Sequence, residues 1–250
     1  MLQIAESFVA ARVEGRSLAD YPGPFPKSLD EAYAIQAAAI DLMDRPVVGW
    51  KIARIRPDLV VTWGADRIAG PVFNIWDAYD DQPVIPAIAG GYAATEAEFQ
   101  LLLREMPTGS TFVIDDIEDI IGAVRIGIEV AGSPFGAINA FGPAVTVSDF
   151  GNNIGLVLGK DVPNWREAID WTVSSFVNKR PVGSAIPAET AGDPLEAVGF
   201  LFELAARYGL PVKSGQWISA GAITGGHKIA SGDEFEAHFG DSASVSCRIR

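Results

Sequence analysis

The sequence predicts an α+β protein: a helical segment over residues 1–45, then a strand-rich core with inserted helices. Three observations predict it. Before Arg45 the apolar residues recur at helical spacing. Beyond Arg45 the texture changes to short Val/Ile-rich runs cut by Gly and Pro, which reads as strands. Strand and helix patterns then fail to alternate regularly, which argues against a doubly wound parallel sheet.

In the first helix Leu2, Ala5, Phe8, Val9 and Val13 form the apolar stripe, and Gly15 offers a stop. A Pro-rich loop, Tyr21-Pro22-Gly23-Pro24-Phe25-Pro26, precedes the second helix. Ser28 and Glu31 form a capping-box pair at its start, with Ala32, Ile35, Ala39 and Leu42 on one stripe. Strands are expected at 47–52, 91–103, 125–131, 144–147, 155–158, 171–177, 182–186, 216–220 and 244–249. Helices are expected at 117–123 and 193–208. The latter has Asp193 as N-cap, Pro194 at its first position and Gly209 just past its end. Asn178-Lys179-Arg180-Pro181 reads as a hairpin turn. With no repeat or low-complexity linker, residues 1–250 read as one domain, a helical cap over 1–45 and a core over 46–250.

Composition bounds the function. Hydrophobic residues make up 48% of the 250, with 13 Phe and 6 Trp, which excludes a disordered chain. A formal charge of −13 with no Lys/Arg cluster repels phosphate backbones, so no nucleic-acid partner is expected. The lone Cys247, in an apolar run that reads as core, suits a reducing cytoplasm. No apolar run reaches the length of a membrane span. Glu6, Arg12 and Glu14 make the first residues unlike a signal peptide, so no membrane partner is expected either. Two histidines and one cysteine are too few for a conventional zinc site. Oxygen ligands remain, from 32 acidic side chains.

The segment Gly91-Tyr92-Ala93-Ala94-Thr95-Glu96-Ala97-Glu98-Phe99-Gln100-Leu101 is the most informative. On a strand, Glu96 and Glu98 share one face, with Thr95, Ala97, Phe99 and Leu101 on the other, core side. Two carboxylates about 4 Å apart repel by roughly 4 kcal/mol at an effective dielectric near 20. A hard cation removes that penalty. On spacing alone an exposed strand face with alternating charges is the simpler reading, and the surrounding sequence changes it.

Several segments occur in the order of a known family: Gly49-Trp50-Lys51-Ile52, Arg67-Ile68-Ala69-Gly70-Pro71-Val72-Phe73, Glu96-Ala97-Glu98-Phe99 and Gly127-Ile128-Glu129-Val130. Ser148-Asp149-Phe150-Gly151-Asn152-Asn153 leads on to Val157-Leu158-Gly159, and Ser219-Ala220-Gly221-Ala222-Ile223-Thr224-Gly225 and Ser231-Gly232-Asp233 follow. Over about residues 30–249 the chain resembles the fumarylacetoacetate-hydrolase-like superfamily, in its 2-keto-4-pentenoate hydratase branch. The resemblance implies a mixed β-sheet roll and a homo-oligomer. It implies Mg²⁺ or Mn²⁺ held by Glu96, Glu98 and Glu129, and a small 2-keto-acid substrate chelating the ion. Lys51 and Asp149 are expected to be catalytic, and Arg54, Arg56, Asn74, Asn152 and Thr224 to line the substrate. The implied reaction hydrates a 2-hydroxy-2,4-dienoate to a 4-hydroxy-2-keto acid. A metal-dependent 2-keto-acid decarboxylase, a C–C hydrolase and a catalytically silent scaffold subunit are the alternatives.

The chain departs from the hydratase pattern in places. After Lys51 it carries Ala53-Arg54-Ile55-Arg56-Pro57 in place of Gly and small hydroxyl residues. Asn74 stands where an acidic residue is usual, and the run after Asp149 is shortened, with no serine. Alternation would put Arg54 and Arg56 on one face, fit for a second anionic end of the substrate. Lys51, in an apolar strand, calls for anionic partners. His227 reads as a pocket base or a structural histidine. Asp115-Asp116-Ile117-Glu118-Asp119 reads as the charged first turn of a helix.

Overall fold

In the computed structural model, residues 1–106, 114–241 and 243–250 are described. Two helices come first, α1 (Leu2–Glu14) and α2 (Leu29–Leu42). Then follow β1 (Gly49–Arg54), α3 (Pro57–Trp63), β2 (Arg67–Val72), β3 (Ile75–Asp77), β4 (Val84–Ile85), β5 (Tyr92–Leu103), α4 (Ile114–Asp119) and β6 (Ile121–Ser133). The second half runs α5 (Pro143–Ser148), β7 (Asn153–Asp161), α6 (Trp165–Ala168), β8 (Val173–Val177), β9 (Arg180–Ala185), α7 (Pro187–Thr190) and α8 (Pro194–Tyr208). It closes with β10 (Trp217–Ser219), β11 (His227–Lys228), β12 (Glu234–Phe239) and β13 (Ala243–Ile249).

The strands form two mixed sheets. The larger runs β2-β1-β10-β5-β6-β7-β3, with β11 also paired to β5, and the smaller runs β4-β13-β12-β8-β9. Pairs β1/β10, β3/β7 and β4/β13 are parallel and the rest antiparallel. The α+β architecture is as expected. The main core lies between the sheets and α8, built from Phe99, Leu101, Ile126, Leu201, Phe235 and Phe239 among others. A second core joins α1, α2 and α5, where Phe8, Ile35 and Val145 meet Phe73, Phe135 and Phe150.

Helix ends follow the sequence closely. Gly15 and Gly209 close α1 and α8 in left-handed conformation, and the Asp193 side chain accepts from Leu195 N at 2.9 Å. Ser28 caps α2 through Glu31 N at 3.2 Å, but the Glu31 carboxylate reaches back to Lys27 N rather than to the cap residue. The buried stripes sit slightly off the expected ones: Leu2, Val13 and Leu42 face solvent, whereas Ile4, Ala11 and Tyr33 are buried. At the β8–β9 turn Asn178 and Lys179 both adopt positive φ, as a two-residue hairpin of primed type requires.

Two expectations are corrected. Residues 144–147, with their β-branched valines, are not a strand: Gly142 and Pro143 start α5, whose six residues are all buried, so packing overrides propensity. The helix expected at 117–123 ends at Asp119, and from Ile121 the chain is strand because it pairs with Leu103. The side chains of Asp115 and Asp116 lie outside the described residues. Short elements such as β3, β4, β11 and α3 were not anticipated; α3 buries no residue and so carries no periodic signal.

Candidate metal centre

Strands β5 and β6 pair along their lengths near the middle of the larger sheet, and their register sets Glu96 directly opposite Glu129. Glu98 follows two residues along β5 and points to the same face. Thr95, Ala97, Phe99 and Leu101 on the other face are all in the core. The three glutamates each offer an oxygen such that all three atoms lie within 4.8 Å of one another. Glu98 and Glu129 are completely buried, and Glu96 is partly exposed. Like charges directly opposite across a strand pair are destabilising.

The electrostatics record that conflict. Burial raises the Glu98 carboxyl well above the ordinary range, and Glu129 and Glu96 push it further. The Ser219 hydroxyl (2.6 Å) and the Gly221 amide (2.8 Å), both donating to Oε2, act in the opposite sense. Burial raises Glu129 to about 7 against the pull of Lys51, and Asn153 donates to its Oε1 at 2.9 Å. Among the described residues Glu98 Oε1 is buried with no hydrogen-bond partner. Glu129 Oε2 has none either, beyond the ion-pair approach of Lys51 Nζ at 3.3 Å. Two unshared buried carboxylate oxygens beside a third carboxylate form the donor set a hard divalent cation takes, so these residues fit such an ion.

Lys51 reaches the cluster from β1. The row Lys51–Ser219–Gln100 crosses β1, β10 and β5, which places Lys51 and Ser219 on the face of Glu96 and Glu98. Its residue is 3% exposed. Burial alone would lower its pKa, but Glu129, Glu96 and Glu98 together outweigh burial and the ammonium is stabilised. Its other neighbour is Asn152 Oδ1 at 3.4 Å. Asn152 belongs to a turn in which Phe150, Gly151 and Asn152 all have φ between 54° and 61°. Two non-glycine residues held there cost roughly 1–3 kcal/mol each. Gly70 in β2 lets this turn come close: a Cβ there would stand 2.1 Å from Phe150 O.

Of the other expected site residues, Thr224 lies between Ser175 Oγ (2.7 Å) and His227 Nε2 (3.0 Å), and burial lowers His227 while Glu96 raises it. Arg54 lines a small cavity of about 130 Å³ together with Glu96 and Gly221, its guanidinium donating to Ala191 O at 2.9 Å. Three expectations are not met by the geometry. Arg56 does not join Arg54 at the cavity: the strand ends at Arg54, and Arg56 turns into solvent and pairs with Asp58 at 2.8 Å. Asn74 bridges Arg45 and Ile154 O and lines a separate cavity of about 250 Å³ behind the 150–152 turn. Asp149 spends both carboxylate oxygens on Arg12 and Ser133.

Sequence reading missed Tyr92, whose hydroxyl is raised by burial and by Glu96 and hydrogen-bonds Asn139. Its place four residues before Glu96 on the same strand face was the available signal. It also missed Gly226, where a Cβ would stand 2.7 Å from Glu96 Oε1. Gly226→Ala is therefore expected to fold normally and displace the Glu96 carboxylate, weakening divalent-ion affinity roughly tenfold, as isothermal titration with Mn²⁺ would report. The two larger surface clefts, of about 530 and 540 Å³, border none of the three glutamates.

No family model matches the chain. It is 28% identical to the 2-keto-4-pentenoate hydratase of Paraburkholderia xenovorans and to 2-keto-4-pentenoate hydratase 3 of Pseudomonas putida, in each case over 97% of this chain and 92% of the relative. A 4-oxalocrotonate decarboxylase from Pseudomonas putida G7, solved with magnesium and adipate, superposes with TM-score 0.82 at 22% identity, covering 100% of this chain and 97% of that one. A protein described as of the fumarylacetoacetate hydrolase family, from Yersinia pestis CO92, superposes with TM-score 0.58 at 15% identity over 83% of this chain and 95% of that one. The chain thus shares the fold of these two structures, and in sequence it is similar along nearly its whole length to the two hydratases. Among the described residues no helix is long and apolar enough to cross a membrane.

Proposed function

We propose that the chain is a divalent-metal-dependent lyase that hydrates a 2-hydroxy-2,4-dienoate to a 4-hydroxy-2-keto acid, with Mg²⁺ or Mn²⁺ held by Glu96, Glu98 and Glu129. The observation that carries this reading is the buried glutamate cluster with two unshared oxygens and a buried lysine against it. Likeness to two named hydratases over nearly the whole chain supports it.

An ion held by Glu96, Glu98 and Glu129 would supply Lewis acidity toward a 2-keto acid. Ser219 and Gly221 fix the Glu98 carboxylate and Asn153 fixes that of Glu129, so both are oriented before any ligand arrives. Lys51 holds a proton at Nζ next to the cluster, placed to pair with the substrate carboxylate and to give or take a proton. In the proposed reaction the enol hydroxyl loses a proton while C5 gains one, producing a conjugated 2-keto-3-enoate. Water then adds across that double bond, oxygen to C4 and hydrogen to C3.

The test is incubation of a 2-hydroxy-2,4-dienoate with the protein and Mg²⁺ or Mn²⁺, followed by proton NMR. A 4-hydroxy-2-keto acid that forms with metal and not with EDTA is the expected result. Metal-dependent CO₂ release from a 2-keto diacid, with dienoates inert, would instead establish a decarboxylase. That second reading is favoured by the full-length superposition on a decarboxylase and by Arg54 lining the cavity beside Glu96. No metal-dependent turnover of either substrate would leave the scaffold role. If Arg54 receives a second carboxylate, Arg54→Ala lowers kcat/KM for a diacid about tenfold or more and changes that for a monoacid little.

A further inference from the structure

The strained turn beside Lys51 is held on one side by Asn139, whose Oδ1 accepts from Asn152 Nδ2 at 3.0 Å, and from behind by Arg12. Arg12, on α1 and nearly buried, donates from Nε to Asp149 Oδ1 (2.6 Å) and from Nη2 to Asp149 Oδ2 (2.9 Å). Nη2 also donates to Asp149 O (3.2 Å) and Gly132 O (2.9 Å), and Nη1 to Asn153 O (2.8 Å). The same guanidinium stands 5.3 Å from the centre of the Phe150 ring. One planar group therefore ties the residue before the left-handed turn, the first residue in it and the residue after it. It also ties the end of β6, three residues beyond Glu129.

We infer that Arg12 is a positioning residue of the metal centre, which it serves by locking the 150–152 turn so that Asn152 meets Lys51 and Asn153 meets Glu129. This rests on the reading of the glutamates as ligands of a divalent ion. A turn with two non-glycine residues in left-handed conformation persists only where surrounding contacts over-determine it, and Arg12 makes more of those contacts than any single ion pair would need. Its reach to the site runs through Asn153, the donor to Glu129 Oε1, and Asn152, the neighbour of Lys51 Nζ. Lysine could keep the charge against Asp149 but not the fork of donors that spans three carbonyls. Asp149 then belongs to this clamp, which accounts for its carboxylate being spent on Arg12 and Ser133.

The experiment measures Mn²⁺ affinity by electron paramagnetic resonance, together with Tm, for wild type, Arg12→Ala and Arg12→Lys. Arg12→Ala is expected to bind Mn²⁺ about 10–100-fold more weakly while folded, and added methylguanidinium is expected to restore much of that loss. Arg12→Lys is expected to fall between the two, and it carries the test should the alanine variant not fold. A lowered Tm with wild-type Mn²⁺ affinity in the folded protein would mean a purely structural arginine and overturn the proposal. Wild-type protein that binds no Mn²⁺ would remove the metal-centre reading and this inference with it. Wild-type binding alongside unchanged variants would remove the inference alone.

Discussion

Glu98→Gln is expected to abolish measurable divalent-ion binding and turnover, and at the same time to raise the stability of the metal-free protein. Both effects have one cause. Glu98 is completely buried, its charge opposed by Glu129 and Glu96, and its Oε1 is unshared. Glutamine keeps the shape and removes the charge, so the metal-free fold no longer holds a costly carboxylate, while the ion loses a ligand. The pH dependence has a definite sign. A glutamate whose folded pKa lies above its unfolded value destabilises the fold once it ionises. Metal-free stability should therefore fall as pH rises from about 4.5 to about 7, by roughly 3 kcal/mol on account of Glu129, and further on account of Glu98. Ion affinity should climb over the same window, because binding displaces those protons. Thermal melts in EDTA and in Mg²⁺ at pH 5 and pH 8 check both. An identical Tm difference in wild type and Glu98→Gln at the two pH values would sink the account.

Lys51→Met is expected to lower kcat by about a thousandfold or more, while Mn²⁺ affinity stays within about tenfold of wild type. Methionine matches the length and apolar stem of lysine, so the core of β1 stays filled and the fold is retained. What is lost is the cation 3.3 Å from Glu129 and the proton it carries. Losing a positive charge beside the carboxylates does not weaken an ion's hold on them, which is why affinity and rate should part. Full activity in Lys51→Met would make the lysine a packing residue with a satisfied charge.

The parts of this architecture legible in the sequence are those written locally. Asp193, Pro194 and Gly209 mark both ends of α8, and the alternation around Glu96 and Glu98 marks β5 and its inward face. The meeting of Glu129 with Glu96 is a matter of register between strands separated by a helix, and only the family-like order of segments pointed to it. Asp149 read as catalytic because its partner, Arg12, lies 137 positions away and no local pattern announces the pair. Arg56 looked paired with Arg54 because alternation was extended past the point where the strand stops and α3 begins. Val145 and Val147 favoured a strand on propensity, and burial among α2 and Phe150 decided otherwise.

The pairing of Glu96 with Glu129 also bears on how the sheet assembles. The twelve residues of β5 pair with β6 nearly without interruption, broken only by an irregularity at Leu102/Leu103. A slip of β5 by a single residue would turn Thr95 and Ala97 toward the cluster face and send both glutamates into the apolar core. A sheet misaligned by one residue is therefore penalised by buried charge and has no set of carboxylates to offer on the cluster face. Such a register cannot capture an ion, so a divalent cation present during refolding would select against it. Refolding from denaturant in Mg²⁺ should then raise the yield of correctly paired protein relative to EDTA, and Glu98→Gln should lose that benefit.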